Sequence, residues 1–183
     1  YELIKEGLND LGISYKEDEK LVRGLDYYND LVFEWTSPDL GSQNTFCGGG
    51  RYDRLSKQLG GRDCPAAGFS IGLDRLALIT KANESTSSSS LQIILTDESY
   101  VLDGLQLSQK LRKDNKDLRV LFSGYQSSLK NQLKKADKNN IDFAVIIGPE
   151  EVRSKNFSLK KLKEDEDQLT LEYDQLVKEL KNE

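Results

Sequence analysis

The sequence predicts an α/β protein, α+β overall, in which an antiparallel sheet with helices is followed by an α/β domain with a mixed five-stranded sheet. Three observations predict this class. A serine-rich stretch, 83–90, contains only polar residues and indicates a flexible linker between residues 1–82 and residues 91–183. Before it, β-branched and aromatic runs are interrupted by glycines. After it, apolar runs alternate with amphipathic segments in the order βαβαβ, which predicts parallel strands.

Residues 1–82 alternate short strands with short helices. Leucine and isoleucine at positions 3, 4, 8 and 11 recur at helical spacing, and Gly12 follows as a C-terminal cap. The β-branched and aromatic run 31–35 predicts a strand. Further strands are predicted at 45–47, running into the glycines 48–50, and at 68–72, with helices at 51–59 and 73–81. In the last helix, Leu73, Leu76, Ala77 and either Ile79 or Thr80 are expected to face inward.

Residues 91–183 show the clearer periodicity. Strands are predicted at 91–96, 118–122 and 143–147, with helices at 100–113 and 127–139 between them. Two short apolar runs, 157–159 and 169–171, predict an antiparallel pair, joined by an acidic turn at 164–167. The last predicted element is a helix with its apolar face formed by Tyr173, Leu176, Val177 and Leu180.

Composition excludes several kinds of chemistry. The 183 residues have a net charge of −5 and include no histidine, so no Ser-His or Cys-His nucleophile and no histidine metal ligand exists within this chain. Two cysteines are too few for a disulfide framework, which indicates a reducing cytosol. No apolar run approaches the ~20 residues that a membrane helix needs. Because the chain begins at Tyr1 and contains no methionine, we expect a fragment of a longer protein.

The segment 21–28, Leu-Val-Arg-Gly-Leu-Asp-Tyr-Tyr, places an arginine among apolar residues just before a predicted strand. A planar guanidinium in such a place can bind phosphate or carboxylate through two parallel hydrogen bonds, and it never loses its charge. The alternative interpretation is a structural ion pair between Arg23 and Asp26 with two core tyrosines. Residue spacing alone favours neither.

Two further segments allow a functional and a structural interpretation. Three glycines precede Arg51-Tyr52-Asp53, which would let backbone approach a ligand closely, although the glycines by themselves favour a bulge or tight bend. Arg75 falls in the first turn of a predicted helix, where the helix dipole disfavours a cation. This position indicates anion binding, against the alternative of a solvated surface arginine.

Taken together, these segments resemble the histidyl-tRNA synthetases, which are class II aminoacyl-tRNA synthetases. Residues 21–28 with Val32-Phe33-Glu34 resemble the family's first histidine-specific signature, residues 47–53 with 59–61 resemble the second, and residues 65–76 resemble the third class II motif. The second half is similar to the anticodon-binding domain of the same family. The resemblance implies the C-terminal part only, namely the end of the catalytic domain, 1–82, and the anticodon-binding domain, 91–183.

The resemblance implies a ligase that activates histidine with ATP and transfers it to tRNA(His). It implies Arg23 as the catalytic residue, in contact with both the histidine carboxylate and the ATP α-phosphate. The residues implied to bind histidine are Arg23, Tyr27, Tyr28, Gly49, Gly50 and Tyr52, and those implied to bind ATP are Arg23, Gly72 and Arg75. Mg²⁺ would arrive with ATP, without metal ligands from the protein. The complete parent is expected to be a cytoplasmic homodimer, and this part alone is expected to be inactive.

A second predicted surface would contact tRNA. Four lysines lie on one side of the predicted helix 127–139, opposite its leucines, namely Lys130, Lys134, Lys135 and Lys138. Such contacts to phosphates position RNA without reading its sequence. A second basic group comprises Lys110, Arg112, Lys113 and Lys116. Two alternatives remain at this point: a histidine-sensing regulatory paralogue of the synthetase, which would generally lack the second domain, and a module that only binds tRNA.

Overall fold

The computed structural model describes residues 1–80, 89–164 and 167–181. The chain divides into two compact units, Tyr1–Glu84 and Ser85–Glu183. Most of the predicted linker 83–90 lies outside the described residues. Its last two residues do not belong to a linker, because Ser89 and Ser90 pair with the neighbouring strand and the Ser90 amide also donates to the Asp142 carboxylate at 2.7 Å.

The first unit is a three-stranded antiparallel sheet with short helices. Its elements are α1 (Glu2–Asp10), β1 (Asn29–Thr36), β2 (Thr45–Arg51), α2 (Leu55–Gln58), β3 (Ala67–Ile71) and α3 (Leu73–Ile79). The strand order is β1-β2-β3, so the glycine-containing strand β2 lies in the middle. Gly12 follows α1 with a φ of 64°, a left-handed conformation that glycine adopts without strain.

Two sequence-based expectations for this unit are wrong in detail. The helix predicted at 51–59 begins only at Leu55, because Arg51 still pairs with both neighbouring strands of the sheet. In α3, Leu73 is 77% exposed and Ala77 is also exposed, whereas Leu76 and Ile79 are half-buried. The short helix therefore packs through a narrower face than the sequence periodicity indicates.

The second unit is a mixed five-stranded sheet with helices. Its elements are β4 (Ser89–Leu95), α4 (Val101–Asp114), β5 (Leu118–Phe122), α5 (Leu129–Lys138), β6 (Phe143–Ile147), α6 (Pro149–Ser154), β7 (Phe157–Lys161), β8 (Leu169–Leu171) and α7 (Tyr173–Glu179). The strand order is β5-β4-β6-β7-β8. The first three strands are parallel, and the predicted antiparallel pair is present with Phe157 opposite Leu171. Part of the predicted acidic turn, residues 165–166, lies outside the described residues.

Among the residues that the structure describes, a continuous apolar core is present only in the second unit. Its members are buried side chains of the sheet and its helices, among them Leu91, Ile93, Leu111, Phe143, Val145, Leu159 and Leu176. β6 is buried along its whole length, as expected for a strand with neighbours on both edges and covered faces. Over the described ranges, no helix combines the length and the apolar character that a membrane crossing requires.

Candidate active site

Arg23 lies against the middle strand of the first sheet. Its Nη1 donates to Glu34 Oε1 at 2.6 Å, and a Cβ placed on Gly48 would lie only 2.5 Å from the same Nη1. The guanidinium therefore occupies the space that a side chain at position 48 would need. The side chains of Arg23 and Glu34 remain 23% and 22% exposed, so a ligand can reach the pair. The alternative partner considered from the sequence, Asp26, is exposed instead.

Glu34 is held at both of its carboxylate oxygens. Thr45 Oγ1 donates to Glu34 Oε2 at 2.8 Å, while Oε1 accepts from Arg23. The hydrogen bond from Thr45 and the Arg23 guanidinium hold the pKa of Glu34 below its usual value, although partial burial acts in the opposite direction. In return, the hydrogen bond to Glu34 raises the pKa of Arg23. Both groups are therefore charged at neutral pH.

The other two glycines of β2 admit close contacts as well. A Cβ on Gly49 would collide with the carbonyl oxygen of Gly68 in β3. A Cβ on Gly50 would collide with the carbonyl oxygen of Leu31 in β1 and would lie 2.8 Å from the Tyr28 ring. Residues 48–50 of β2, the glycine strip, thus fit as bare backbone between two strands, an arginine and a tyrosine. A side chain at position 49 or 50 would meet backbone, whereas one at position 48 would meet only the end of the Arg23 side chain.

Three tyrosine rings gather beside this strip. The centroids of Tyr27 and Tyr28 lie 4.7 Å apart, and those of Tyr27 and Tyr52 lie 5.7 Å apart in an edge-on arrangement. A hydrogen bond with Tyr28 raises the pKa of Tyr27, so the Tyr27 phenol keeps its proton at neutral pH. The Tyr52 hydroxyl occupies the space in front of Gly68, where a Cβ would overlap it. Neutral phenols can donate or accept a hydrogen bond, which suits a polar ring as ligand.

The loop after β2 is anchored by Asp53. Its Oδ1 accepts from the Ala66 amide at 2.9 Å and its Oδ2 accepts from Arg51 Nε at 2.7 Å, while its own amide donates to Asn29 Oδ1. The hydrogen bond from Ala66, with that from Arg51, holds the pKa of Asp53 below its usual value. These contacts fix the backbone on either side of Tyr52, so the carboxylate has a structural role.

Gly72 and Arg75 lie at the start of α3, against the opposite end of β2. The Gly72 amide donates to the Phe46 carbonyl at 2.9 Å. Arg75 Nη1 donates to the Thr45 carbonyl at 3.1 Å and also to the Gln43 carbonyl, and Nη2 donates to Gln43 Oε1 at 2.9 Å. The guanidinium of Arg75 thus ties α3 to the loop and strand before the glycine strip, rather than being a solvated surface arginine.

The lysine side of α5 is exposed, as the sequence periodicity predicts. Ala136 is buried and Leu129 and Leu133 are half-buried, so the four lysines lie on the outer side of the helix, Lys130, Lys134, Lys135 and Lys138. Only Lys135 has a side-chain partner among the described residues, Gln126 Oε1 at 2.9 Å.

The second basic group is partly engaged within its own unit. The Lys110 ammonium lies 3.4 Å from the centroid of the Tyr173 ring. Arg112 Nη2 donates to the Val120 carbonyl at 3.0 Å. These two cations have structural partners. Lys113 and Lys116 are exposed and have no such contact with the residues that the structure describes. The α5 lysines are therefore the stronger candidate surface for phosphate.

Comparison with known proteins agrees with both halves of this architecture. A family model described as "Anticodon binding domain" matches residues 90–183, which is half of the chain. The chain belongs to the anticodon-binding domain family. A second model, described as "Histidyl-tRNA synthetase", matches residues 2–76, ahead of the anticodon-binding domain.

Relatives of this anticodon-binding-domain protein match nearly the whole chain, and their names agree with the second family model. A protein named histidine--tRNA ligase from Hydrogenovibrio crunogenus is 41% identical over 99% of this chain and 43% of its own length. One of the same name from Legionella pneumophila (strain Paris) is 39% identical over 96% of this chain and 42% of its own length. The resemblance to histidyl-tRNA synthetases, predicted from three motifs, is confirmed, and the chain spans less than half the length of these relatives.

Solved structures include a crystal structure of apo S. aureus histidyl-tRNA synthetase. It is 32% identical to this chain, with a TM-score of 0.43, over 99% of this chain and 54% of that one.

Most of the predicted active-site residues of this family member lie close together. The structure also places here residues for which the sequence predicts no role. Arg23, the three tyrosines and the glycine strip form one cluster, and Arg75 reaches it through the backbone of Thr45. Glu34 was part of a quoted motif but received no role. Thr45 and Gly68 lie in a predicted strand and a quoted motif, but the sequence does not show their contacts, because each acts through a partner from another segment.

Proposed function

We propose that this chain is the part of a histidine–tRNA ligase that holds Arg23 in the active site and binds tRNA(His) through its anticodon-binding domain. The observation that carries the proposal is the Arg23 guanidinium packed on Gly48, beside three tyrosines, in a chain 41% identical to a protein named histidine--tRNA ligase. Histidine, ATP with Mg²⁺ and tRNA(His) are the proposed substrates, and a cytoplasmic homodimer is the proposed form of the complete protein.

The proposed chemistry needs a fixed positive charge between two anions. When a carboxylate attacks the α-phosphorus of ATP, negative charge repels negative charge, and more develops on the phosphoryl oxygens in the transition state. A guanidinium that contacts both groups lowers this repulsion and aligns the attack. Arg23 is already held in place by Glu34 and by the bare strand at Gly48, so it needs little reorganisation. No proton relay is needed, which agrees with a chain that lacks histidine.

The proposed histidine site uses the tyrosines and the glycine strip. Tyr28 would hydrogen-bond the imidazole, Tyr27 would shape the pocket, and Tyr52 would line it over Gly49 and Gly50. Support comes from the tyrosine cluster, in which the Tyr28 and Tyr52 centroids lie 6.1 Å apart and the two side chains lie against Gly50 and Gly68 of adjacent strands. Arg75 and Gly72 would contact ATP at the start of α3. Because the Arg75 guanidinium already donates to two carbonyl groups, we propose that it presents its remaining donors or its planar face to ATP.

The test is ATP–pyrophosphate exchange with histidine in the complete protein that carries this chain. Arg23→Lys keeps the charge but loses the planar fork, and we expect the rate to fall by about 10²–10³-fold, as when a single charge-stabilising donor is lost. Arg62→Lys is the matched control, since Arg62 is exposed and has no side-chain partner within the described ranges. Unchanged exchange by Arg23→Lys would contradict the proposal. The chain by itself is expected to show no exchange.

The tRNA proposal is tested at Lys134, which is exposed on α5 and has no side-chain partner among the described residues. Lys134→Glu is expected to weaken binding of tRNA(His) and to lower the slope of log K against log salt by about 0.7–0.9, the value for one phosphate contact. Lys178→Glu makes the same charge change on exposed α7 and serves as the control. Equal losses for both variants would indicate a general charge effect, against a specific surface on α5.

A further inference from the structure

The carboxylate of Glu34 connects Arg23 to the backbone of the middle strand. β1 and β2 pair so that Glu34 lies directly opposite Gly48, and side chains opposite each other project on the same face. The guanidinium fills the side-chain space of Gly48, which places it immediately beside the carboxylate. The 2.6 Å contact between Nη1 and Oε1 is therefore built into the strand register.

A β-bulge supplies the second half of this arrangement. Trp35 pairs with Cys47 but Thr36 pairs with Thr45, so Phe46 is an extra residue in β2. Without the bulge, Thr45 and Gly48 would point to opposite faces, because they are three positions apart on one strand. The bulge turns Thr45 to the face of Glu34, where its hydroxyl donates to the second carboxylate oxygen at 2.8 Å.

The same bulge also anchors the start of α3. The Thr45 carbonyl accepts from Arg75 and the Phe46 carbonyl accepts from the Gly72 amide. Thr45 therefore contacts Arg75 through its backbone carbonyl. Its hydroxyl holds Glu34, which in turn holds Arg23. The two arginines with a proposed role at phosphate are linked by one residue of one bulge.

We propose that Glu34 and Thr45 are positioning residues that set the location and orientation of Arg23 relative to Arg75. Only the expected change in kcat rests on the proposed ligase function, and the positioning of Arg23 does not. Glu34 touches no substrate in this role and acts through the guanidinium, and Thr45 acts through Glu34. A carboxylate fixed at both oxygens removes rotational freedom from the guanidinium before substrate binds.

The kinetic test uses the complete protein and ATP–pyrophosphate exchange. Glu34→Gln keeps the shape but removes the charge, and a misplaced guanidinium is expected to lower kcat by about 10–100-fold. Thr45→Val removes one hydrogen bond and is expected to lower kcat roughly 2–10-fold. Thr45→Ser keeps the hydroxyl and should recover most of that loss. In the Arg23→Ala background, Glu34→Gln should cause no further loss, because its effect passes through Arg23.

A second measurement does not depend on activity. Phenylglyoxal labels accessible guanidinium groups, and mass spectrometry of the labelled chain reports Arg23 relative to the exposed Arg62. Glu34→Gln and Thr45→Val should speed labelling of Arg23 several-fold, whereas Thr45→Ser should not. Additive losses in the Arg23→Ala background, or unchanged labelling in Glu34→Gln and Thr45→Val, overturn the positioning role. Absence of exchange in the unaltered complete protein would instead overturn the ligase function, and the labelling result would still decide the role of Glu34.

Discussion

At the scale of single residues, several side chains of this protein are fixed by partners that are distant in the sequence. Glu34 joins Arg23 and Thr45, each eleven positions away, and Asp142 joins Ser90 and Lys163. In each case a carboxylate accepts from donors on two different segments. Such carboxylates must ionise to make their contacts, so they link the stability of the fold to pH.

Asp142 gives the clearest prediction of this kind. Burial would raise its pKa, but hydrogen bonds from Lys163 and Ser90 outweigh that effect and hold the pKa below its ordinary value of 3.8. A lowered pKa in the folded state means that the stabilisation is complete above 3.8 and disappears as the pH falls through the folded-state pKa. Asp142→Asn should therefore lower the free energy of unfolding by about 1–2 kcal/mol at pH 7 and by progressively less below pH ~3.8.

Chemical denaturation at several pH values measures this difference. Asp137→Asn is the matched control, because Asp137 is exposed on α5 and its side chain forms no hydrogen bond or ion pair within the described part of the chain. A destabilisation by Asp142→Asn that is the same at pH 7 and pH 2.5 would contradict the prediction.

At the scale of elements, the glycine strip of β2 shows that a sequence pattern predicts a strand but not the contacts that the strand makes with other segments. The run 45–50 indicated a strand meeting glycines, and β2 contains both. The sequence could not show that each glycine faces a different obstacle, because the obstacles come from β1, β3 and the segment of Arg23. The bulge at Phe46 was equally hidden, since a bulge is defined by the pairing of two strands and not by one.

The strip makes a prediction about two neighbouring glycines. A Cβ on Gly48 meets only the flexible end of Arg23, whereas a Cβ on Gly49 meets the backbone of Gly68 and Phe69 in β3. Gly48→Ala should therefore displace the guanidinium and keep the fold, with loss of exchange activity in the complete protein. Gly49→Ala should separate β2 from β3. It should lower the free energy of unfolding by about several kcal/mol, at least as much as the overpacking of a well-packed core costs.

Thermal unfolding and exchange rates distinguish the two variants. Gly24→Ala is the control, because a Cβ there would meet nothing within 4 Å and its φ is not positive. If Gly48→Ala and Gly49→Ala lose stability equally, the strip acts as a packing feature only.

At the scale of the whole molecule, the two units differ in how far their own residues bury apolar surface, and this difference explains where sequence analysis succeeded. In the second unit, β5 and β6 match their predicted bounds, 118–122 and 143–147. β6 is a continuous apolar run that is buried along its whole length, and β5 is apolar except for the exposed Arg119. In the first unit only Cys47 is a fully buried hydrophobic residue among those described, and Leu3, Val22, Leu59, Leu73 and Leu78 are at least 77% exposed. In this unit the periodicity of apolar residues does not correspond to a buried core, so Leu73 and Ala77 of α3 are exposed although they were expected to face inward, whereas Leu76 and Ile79 are half-buried.

This asymmetry predicts that residues 89–183 fold on their own and that residues 1–80 do not. The apolar core lies wholly between Leu91 and Leu180, whereas the first unit leaves large apolar side chains in water. Urea unfolding of the 89–183 segment should be a single cooperative transition with a slope of about 1–3 kcal/mol per molar urea. Leu111→Ala, at a fully buried position, should lower its free energy of unfolding by about 2–5 kcal/mol. A cooperative transition of similar slope in residues 1–80 would contradict the prediction, because such a slope requires a buried core that the exposed leucines do not form.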